Sequence, residues 1–258
     1  MADHDAGRRA YGSGHIPGAF FLDHEKDLSA PKTGKNGRHP LPPLSEFAAL
    51  MRSYGVHKSV QVVVYDAGNS MFAAHLWWML RWMGHHTVAV LDGGWQAWLS
   101  RGGTVSNELP KRPLQQEPEQ LETDLQPDMP TVGCDEVLRN IQALRFTVLD
   151  ARAENRFKGE VEPMDPVAGH IPGALNRPNT LNIDESGCFL SSRALRESFE
   201  KVLGNAKPEQ VVHQCGSGIT ACHNLLAMEI AGMQGSALYP GSWSEWCSDS
   251  TRPVAKGK

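Results

Sequence analysis

The chain contains two copies of one domain-sized pattern. The hexapeptide Gly-His-Ile-Pro-Gly-Ala occurs at residues 14–19 and again, letter for letter, at residues 169–174. Farther along, residues 63–98 align with residues 211–246 without a gap and are identical at ten of 36 positions, two of them tryptophans. A period this long indicates two folded units rather than the short units of a solenoid. The repeat therefore predicts two related domains.

We predict a first domain over residues 1–105, a linker over residues 106–130 and a second domain over residues 131–258. The linker is rich in proline and glutamine, as extended connectors often are. The second copy has a helix-like stretch and a strand, within residues 134–150, ahead of its hexapeptide, whereas the first copy has only 13 preceding residues. The internal comparison therefore predicts a first domain that is truncated at its N-terminus.

Composition excludes several classes of protein. The 25 Lys and Arg against 29 Asp and Glu give a formal net charge of −4, whereas nucleic-acid binders usually carry a basic surplus. No apolar run reaches the ~18–20 residues of a membrane span, so a soluble, cytoplasmic protein is expected. The five cysteines are too scattered for a disulfide scaffold. They also form no short-spaced Cys/His group of the kind that binds zinc, so no metal is expected.

Each copy alternates strands with helices. Runs of β-branched residues at 60–65 and 211–213 are typical of buried strands. A glycine-containing turn follows each run, and then a helix, predicted at residues 71–83 and 219–231. This alternation predicts an α/β fold in which each domain is a parallel sheet flanked by helices. Ligands bind such sheets beyond the carboxyl ends of the strands, and Cys215 lies at that place in the second copy.

Cys215 lies in a turn that also contains Gly216 and Gly218. Glycine permits backbone conformations that turn successive N–H groups toward one point, and the following helix adds partial positive charge. Such a cradle favours the thiolate, the nucleophilic form of cysteine. A free cysteine is commonly a small buried hydrophobe, but the first copy has Ala67 at the equivalent position, as expected if that copy only supports the site. We therefore predict that Cys215 is a nucleophile.

Two such hexapeptides, each followed by a strand, a turn, a helix and a Gly-x-Trp element, resemble the tandem rhodanese (sulfurtransferase) family. Its members have two α/β domains, a cysteine only in the second, and a six-residue active loop. The loop at residues 215–220, Cys-Gly-Ser-Gly-Ile-Thr, is similar to that of 3-mercaptopyruvate sulfurtransferases. Thiosulfate-preferring relatives instead carry basic residues just after the cysteine. The resemblance implies that Gly216, Gly218, Ile219 and Thr220 contact the donor.

The reaction implied by the resemblance is a double displacement. The Cys215 thiolate takes sulfur from a donor such as 3-mercaptopyruvate, forming a persulfide. A thiophilic acceptor then removes that sulfur, and cyanide, a small thiol or a thioredoxin-like protein could serve. The reaction needs neither a metal nor an organic cofactor, and neither nucleic acid nor a membrane is an expected partner.

The substrate-binding arginines of the family are only partly matched. Arg156 corresponds to one of them in mercaptopyruvate enzymes, and a guanidinium suits the carboxylate of the donor. The second family arginine follows a Glu-Pro pair, and Met164 stands in its place here. Arg177 or Arg152 could substitute, although Arg152 is more simply a structural partner for Asp150.

The resemblance also implies a Ser–His–acid relay whose histidine and acid come from the first domain. Ser217 matches the loop serine and His39 matches the histidine. The acid is Glu25 by spacing, with Asp23 as the alternative. A helix N-cap is the competing role for Ser217, and a plain surface-loop position is the competing role for His39.

Three alternative functions stay open at this point. The first is a sulfurtransferase that uses thiosulfate as the donor. A phosphatase of the Cys-x5-Arg type would need an arginine where Ala221 stands. A non-catalytic binding or sulfur-carrier module would result if the truncation disordered the first domain and removed His39 from the site.

Overall fold

The computed structural model describes residues 5–112 and 127–257. The helices are α1 (Ala6–Ser13), α2 (Leu44–Ser53), α3 (Met71–Trp82), α4 (Gly94–Ser100), α5 (Cys134–Ala143), α6 (Glu154–Phe157), α7 (Ser192–Leu203), α8 (Ile219–Ile230) and α9 (Ser242–Trp246). The strands are β1 (Val62–Val64), β2 (Val88–Val90), β3 (Thr147–Asp150), β4 (Leu175–Asn176), β5 (Val211–Gln214) and β6 (Ala237–Leu238). Within the described ranges, none of these helices has the length and apolar character needed to cross a membrane.

All the strands pair in parallel, which confirms the predicted α/β class. In the second half, four strands form one sheet in the order β4-β3-β5-β6. In the first half, β1 and β2 form a two-stranded sheet. The repeat relates β1 to β5 and β2 to β6, so β3 and β4 have no counterpart among the described residues of the first half. This difference agrees with the shorter first copy seen in the sequence.

Helix α3 and its repeat counterpart α8 pack against each other, and they join the two halves. Each helix is apolar around most of its circumference, because it packs on its own sheet and also on the other helix. Trp78 and Leu80 of α3 and Leu225 of α8 are at most 1% exposed and lie in one shared core. A polar contact adds to this interface, since the His223 ring lies 2.9 Å from the backbone oxygen of Asn69. The interface therefore brings the two strand-to-helix loops to one side of the molecule.

The structure adds elements to those that the sequence predicted. The Gly-x-Trp elements, for which no helix was predicted, open the short helices α4 and α9. Helix α7, which was not predicted, begins after the N-cap residue Ser191, whose hydroxyl accepts a hydrogen bond from the backbone of Ala194. It packs against α8 on the face of the sheet.

The predicted linker is described only at its two ends, and its residues 113–126 lie outside the described part of the chain. Ser106 and His15 exchange backbone hydrogen bonds of 2.8 and 2.9 Å. At the other end, the backbone nitrogen of Leu238 donates to Pro130 over 3.0 Å. Both ends are thus attached to a folded half, and the domain boundaries themselves stay a prediction.

Candidate active site

The Cys215 loop connects β5 to α8, and helix α9 fixes its backbone. The Cys215 nitrogen donates to the Ser242 hydroxyl over 3.1 Å, and its oxygen accepts from the Trp243 nitrogen over 3.0 Å. Gly218, the N-cap of α8, has φ +89°, and a Cβ there would lie 2.7 Å from the Pro240 oxygen. Glycine is therefore required at this position both by conformation and by space.

The loop presents a row of unpaired amide groups. In the described part of the chain, no backbone N–H of residues 216–221 donates to a protein acceptor. The first turn of any helix leaves such donors free, and Gly216 and Gly218 extend the row into the loop. Converging amides with the positive end of a helix form an anion-binding site.

The first half shows how this geometry accommodates an anion. Its equivalent loop contains Ala67 and is followed by α3, and the carboxylate of Asp66 sits among the amides of the loop. Asp66 accepts hydrogen bonds of 3.0 and 3.1 Å from the backbone of Gly68 and Ser70, and further bonds of 2.9 and 3.1 Å from the first turn of α3. The residue at the equivalent place in the second half is Gln214, which carries no charge. The first cradle is therefore filled by its own carboxylate, whereas the second is free.

The Cys215 side chain lies at the floor of its loop. The residue is 2% exposed and belongs to the same apolar cluster as Ala221 and Cys222. Among the described residues, no loop amide donates a hydrogen bond to the Cys215 sulfur. The expected amide groups are present, but they do not donate hydrogen bonds to the Cys215 sulfur. The cradle is instead available for an anionic group that arrives at the sulfur.

Ser217, His39 and Glu25 form one chain of hydrogen bonds across the two halves. His39 Nδ1 lies 2.8 Å from the Ser217 hydroxyl oxygen, and His39 Nε2 lies 2.8 Å from Glu25 Oε1. Asp23 does not contact His39, and its carboxylate instead accepts hydrogen bonds from the backbone of Glu25 and Lys26. The N-cap of α8 is Gly218, so the Ser217 hydroxyl does not have the competing capping role.

The pKa values along this chain fix its protonation. Burial acts to raise the pKa of Glu25, but hydrogen bonds from Lys32, at 2.6 Å, and from His39 outweigh it and lower that pKa to about 2. Burial lowers the pKa of His39, and the attraction to Glu25 offsets this only in part. At neutral pH the carboxylate is therefore ionised and the imidazole is neutral. An ionised carboxylate only accepts, so Nε2–H donates to Glu25 and Nδ1 accepts from the Ser217 hydroxyl.

Two guanidinium groups lie over the Cys215 loop. A Cβ on Gly216 would lie 2.8 Å from Nη2 of Arg38 and 3.6 Å from both terminal nitrogens of Arg156. Arg156 was expected at the site, whereas the sequence analysis missed Arg38. Its signal was adjacency to His39, because a short segment that brings one side chain to the loop brings its neighbour as well. Met164, at the place of the second family arginine, is 58% exposed, so the second guanidinium comes from the first half instead.

The structure contradicts the proposed role of Arg177 in binding the donor. Its side chain is fully buried, stacks 3.7 Å from the Phe199 ring and donates to Asn182 and Ser198. Its hydrogen-bonding capacity is used within the second half, so it has no role left at the loop.

Other expected residues lie where the sequence suggested. Arg152 is buried against Asp150 at 2.7 Å, as expected of a structural partner. Burial acts to lower the pKa of Arg152, but Asp150, Glu162 and Cys215 together raise it. Ile219 and Thr220 form the start of α8, the first buried and the second half-buried.

Comparison with known proteins agrees with the two-domain architecture. The family model described as "Rhodanese-like domain" matches residues 5–101 and again residues 133–249. A protein of Pseudomonas aeruginosa named "Probable 3-mercaptopyruvate sulfurtransferase" is 44% identical over 262 residues, which cover 100% of this chain and 89% of the relative. The thiosulfate sulfurtransferase of Cricetulus griseus is 37% identical over 247 residues, covering 93% and 79%.

The solved structures include a similar protein as well. The 3-mercaptopyruvate sulfurtransferase from Leishmania major superposes with a TM-score of 0.84 at 28% sequence identity, over 98% of this chain and 69% of that one. Both halves of the chain match the family model, and full-length relatives exceed 30% identity. The chain therefore belongs to the rhodanese family, with two rhodanese-like domains.

Proposed function

We propose that this protein is a sulfurtransferase that moves sulfur from 3-mercaptopyruvate to a thiophilic acceptor through a persulfide on Cys215. The observation that carries the proposal is the hydrogen-bonded chain from Ser217 through His39 to Glu25, which ends beside the nucleophile's loop. A hydroxyl in this position suits a donor with a carbonyl group next to the carbon that bears the sulfur. The names of the relatives support sulfur transfer and include both candidate donors.

In the first step the Cys215 thiolate attacks the thiol sulfur of the donor. An S–S bond forms while the C–S bond of the donor breaks, and the electron pair of that bond passes into the enolate of pyruvate. The thiol proton of the donor ends on the methylene carbon, so the products are pyruvate and the Cys215 persulfide anion. Atoms and charge balance without an external oxidant or reductant.

The Ser217–His39–Glu25 relay stabilises the negative charge that develops on the donor during this step. As the C–S bond breaks, negative charge builds on the carbonyl oxygen of the donor, and the Ser217 hydroxyl can donate a hydrogen bond to it. His39 is neutral and is oriented by the ionised Glu25, so it can take up and return the Ser217 proton. Arg38 and Arg156 hold the carboxylate of the donor over the loop.

In the second step an acceptor attacks the outer sulfur of the persulfide, and the Cys215 thiolate leaves. The amide cradle stabilises the anionic persulfide between the two steps. The proposed acceptors are cyanide, a small thiol or a reduced thioredoxin-like protein. All five cysteines are free thiols, which is in keeping with a reducing compartment such as the cytoplasm, the location we propose.

Thiosulfate is the second candidate donor, and the two guanidinium groups support it. They supply over the loop the positive charge that Gly216 and Ser217 lack. However, thiosulfate has no carbonyl group for the Ser217 relay to polarise. A non-catalytic module is less well supported, because its premise was the loss of His39 from the site, whereas His39 contacts Ser217.

Steady-state assays with both donors test this proposal, using cyanide as acceptor. We expect a higher kcat/KM for 3-mercaptopyruvate than for thiosulfate, and we expect Cys215→Ala to abolish transfer from either. The matched control is Cys222→Ala, which alters a buried thiol in the first turn of α8 and should keep most of the activity. Equal losses in both variants, or a preference for thiosulfate, would contradict the proposal.

A further inference from the structure

Asp165 joins the two guanidinium groups above the Cys215 loop. Its side chain is 3% exposed. One carboxylate oxygen forms an ion pair with Arg38 of the first half, and the other lies 3.5 Å from Nη2 of Arg156 of the second half. The aspartate therefore occupies the same pair of cations that the carboxylate of an incoming donor needs.

A second buried carboxylate, that of Glu162, pairs with Arg156 and with Arg152. Glu162, also 3% exposed, lies 2.7 Å from Arg156 and 3.4 Å from Arg152, which in turn is paired with Asp150. Burial acts to raise the pKa of Glu162, but its hydrogen bonds from Arg156 and from nearby backbone amides lower it, so it is ionised at neutral pH. The three guanidinium groups of this network are thus offset by three carboxylates.

This balance limits how much negative charge the site accepts. Arg38 and Arg156 give directional hydrogen bonds to a donor, but the neighbouring carboxylates cancel most of their net charge. The repulsion that Asp165 exerts on a bound anion is proportional to the charge of that anion. At the same distance, the repulsion energy between Asp165 and a dianion is therefore about twice that for a monoanion.

We propose that Asp165 is a specificity-determining residue that selects a donor with one negative charge over the dianion thiosulfate. The proposal rests on the proposed function, since it concerns the choice between the two candidate donors at the same site. In this view the arginines recognise the planar carboxylate of the donor, and Asp165 keeps them from becoming a general binding site for dianions.

The direct test is Asp165→Asn, which keeps the size of the side chain and one acceptor oxygen but removes the charge. The kcat/KM for thiosulfate, relative to that for 3-mercaptopyruvate, should rise about tenfold, the order expected for one unit charge near a partly buried dianion. The gain should shrink as ionic strength increases. The matched control is Glu160→Gln, which removes a charge from an exposed residue of the same segment and should leave the ratio unchanged.

Met164→Glu is the opposite test, because it adds a negative charge instead of removing one. Met164 is exposed, so a carboxylate can be introduced beside Asp165 without disturbing the core, and the ratio should move further toward 3-mercaptopyruvate. This variant keeps the test decisive if Asp165→Asn fails to fold, as judged by thermal melting. An unchanged ratio in the folded variants, or a parallel loss with both donors, would overturn the selective role. The wild-type preference separately tests the proposed function, because a wild type that prefers thiosulfate contradicts that function whatever the variants do.

Discussion

Arg38→Gln is the perturbation that separates donor binding from chemistry most cleanly. The substitution removes the guanidinium nearest to Gly216 and leaves the Cys215 loop and its anchoring on α9 untouched. The Arg38 side chain is 22% exposed, and Asp165 keeps Arg156 as its second partner. The variant is therefore expected to fold, because no buried carboxylate loses all of its pairing.

The expected size follows from the hydrogen bonds that would be lost. A hydrogen bond to a charged group contributes about 1.5–3 kcal/mol. Since 1.4 kcal/mol corresponds to a factor of ten, kcat/KM for 3-mercaptopyruvate should fall about 10–100-fold. The carboxylate of the donor is not part of the breaking C–S bond, so we expect Arg38 to bind it equally in the ground and transition states. The fall in kcat/KM should therefore appear mainly as a raised KM.

Steady-state kinetics with cyanide as acceptor would measure both constants. Arg193→Gln is the matched control, because that guanidinium lies on α7, is 89% exposed and pairs only with Glu197 among the interactions of the described residues. It should leave KM within twofold of the wild-type value. A normal KM in Arg38→Gln, or a large fall in kcat at unchanged KM, would refute the assignment of Arg38 to the carboxylate of the donor.

Two further predictions concern the relay and the cradle. His39→Gln should lower kcat with 3-mercaptopyruvate about a hundredfold or more. Because the pKa of His39 is lowered, the neutral imidazole persists as pH falls through 6.5, so the wild-type acid limb should lie below pH 6.5; a limb above that value would contradict the assignment. Gln214→Asp should place a carboxylate in the free cradle, as Asp66 does in the first half, and should prevent persulfide formation from either donor. Persulfide formation at the wild-type rate in a folded variant would show that the cradle has no such role.

Much of the fold could be predicted from the internal repeat. Because residues 63–98 align with residues 211–246 without a gap, the strands and helices around Cys215 could be placed by internal comparison, and the structure has them within a few residues. The apolar character of α3 and α8 on most sides was a further signal, since a helix that is apolar around most of its circumference needs a second packing partner. Which helix would be that partner is a tertiary contact that no local pattern encodes.

The site could be predicted only in part, and the reasons are physical. Arg38 was missed because its ion pair with Asp165 spans 127 positions, and its one local signal was its place next to His39. The predicted role of Arg177 in binding the donor was wrong, because Asn182 and Ser198, which hold its side chain, come together only in the folded second half. The contrast between Asp66 and Gln214 was visible in the aligned copies, since a carboxylate next to a free-amide loop can fill it.

Mass spectrometry of the protein after incubation with 3-mercaptopyruvate tests the central claim most directly. The peptide that contains Cys215 should gain one sulfur atom, about 32 Da, and should lose it again when cyanide is added. Cys215→Ala should gain no sulfur. Sulfur found on Cys222 or on another cysteine, with the Cys215 peptide unmodified, would contradict the account.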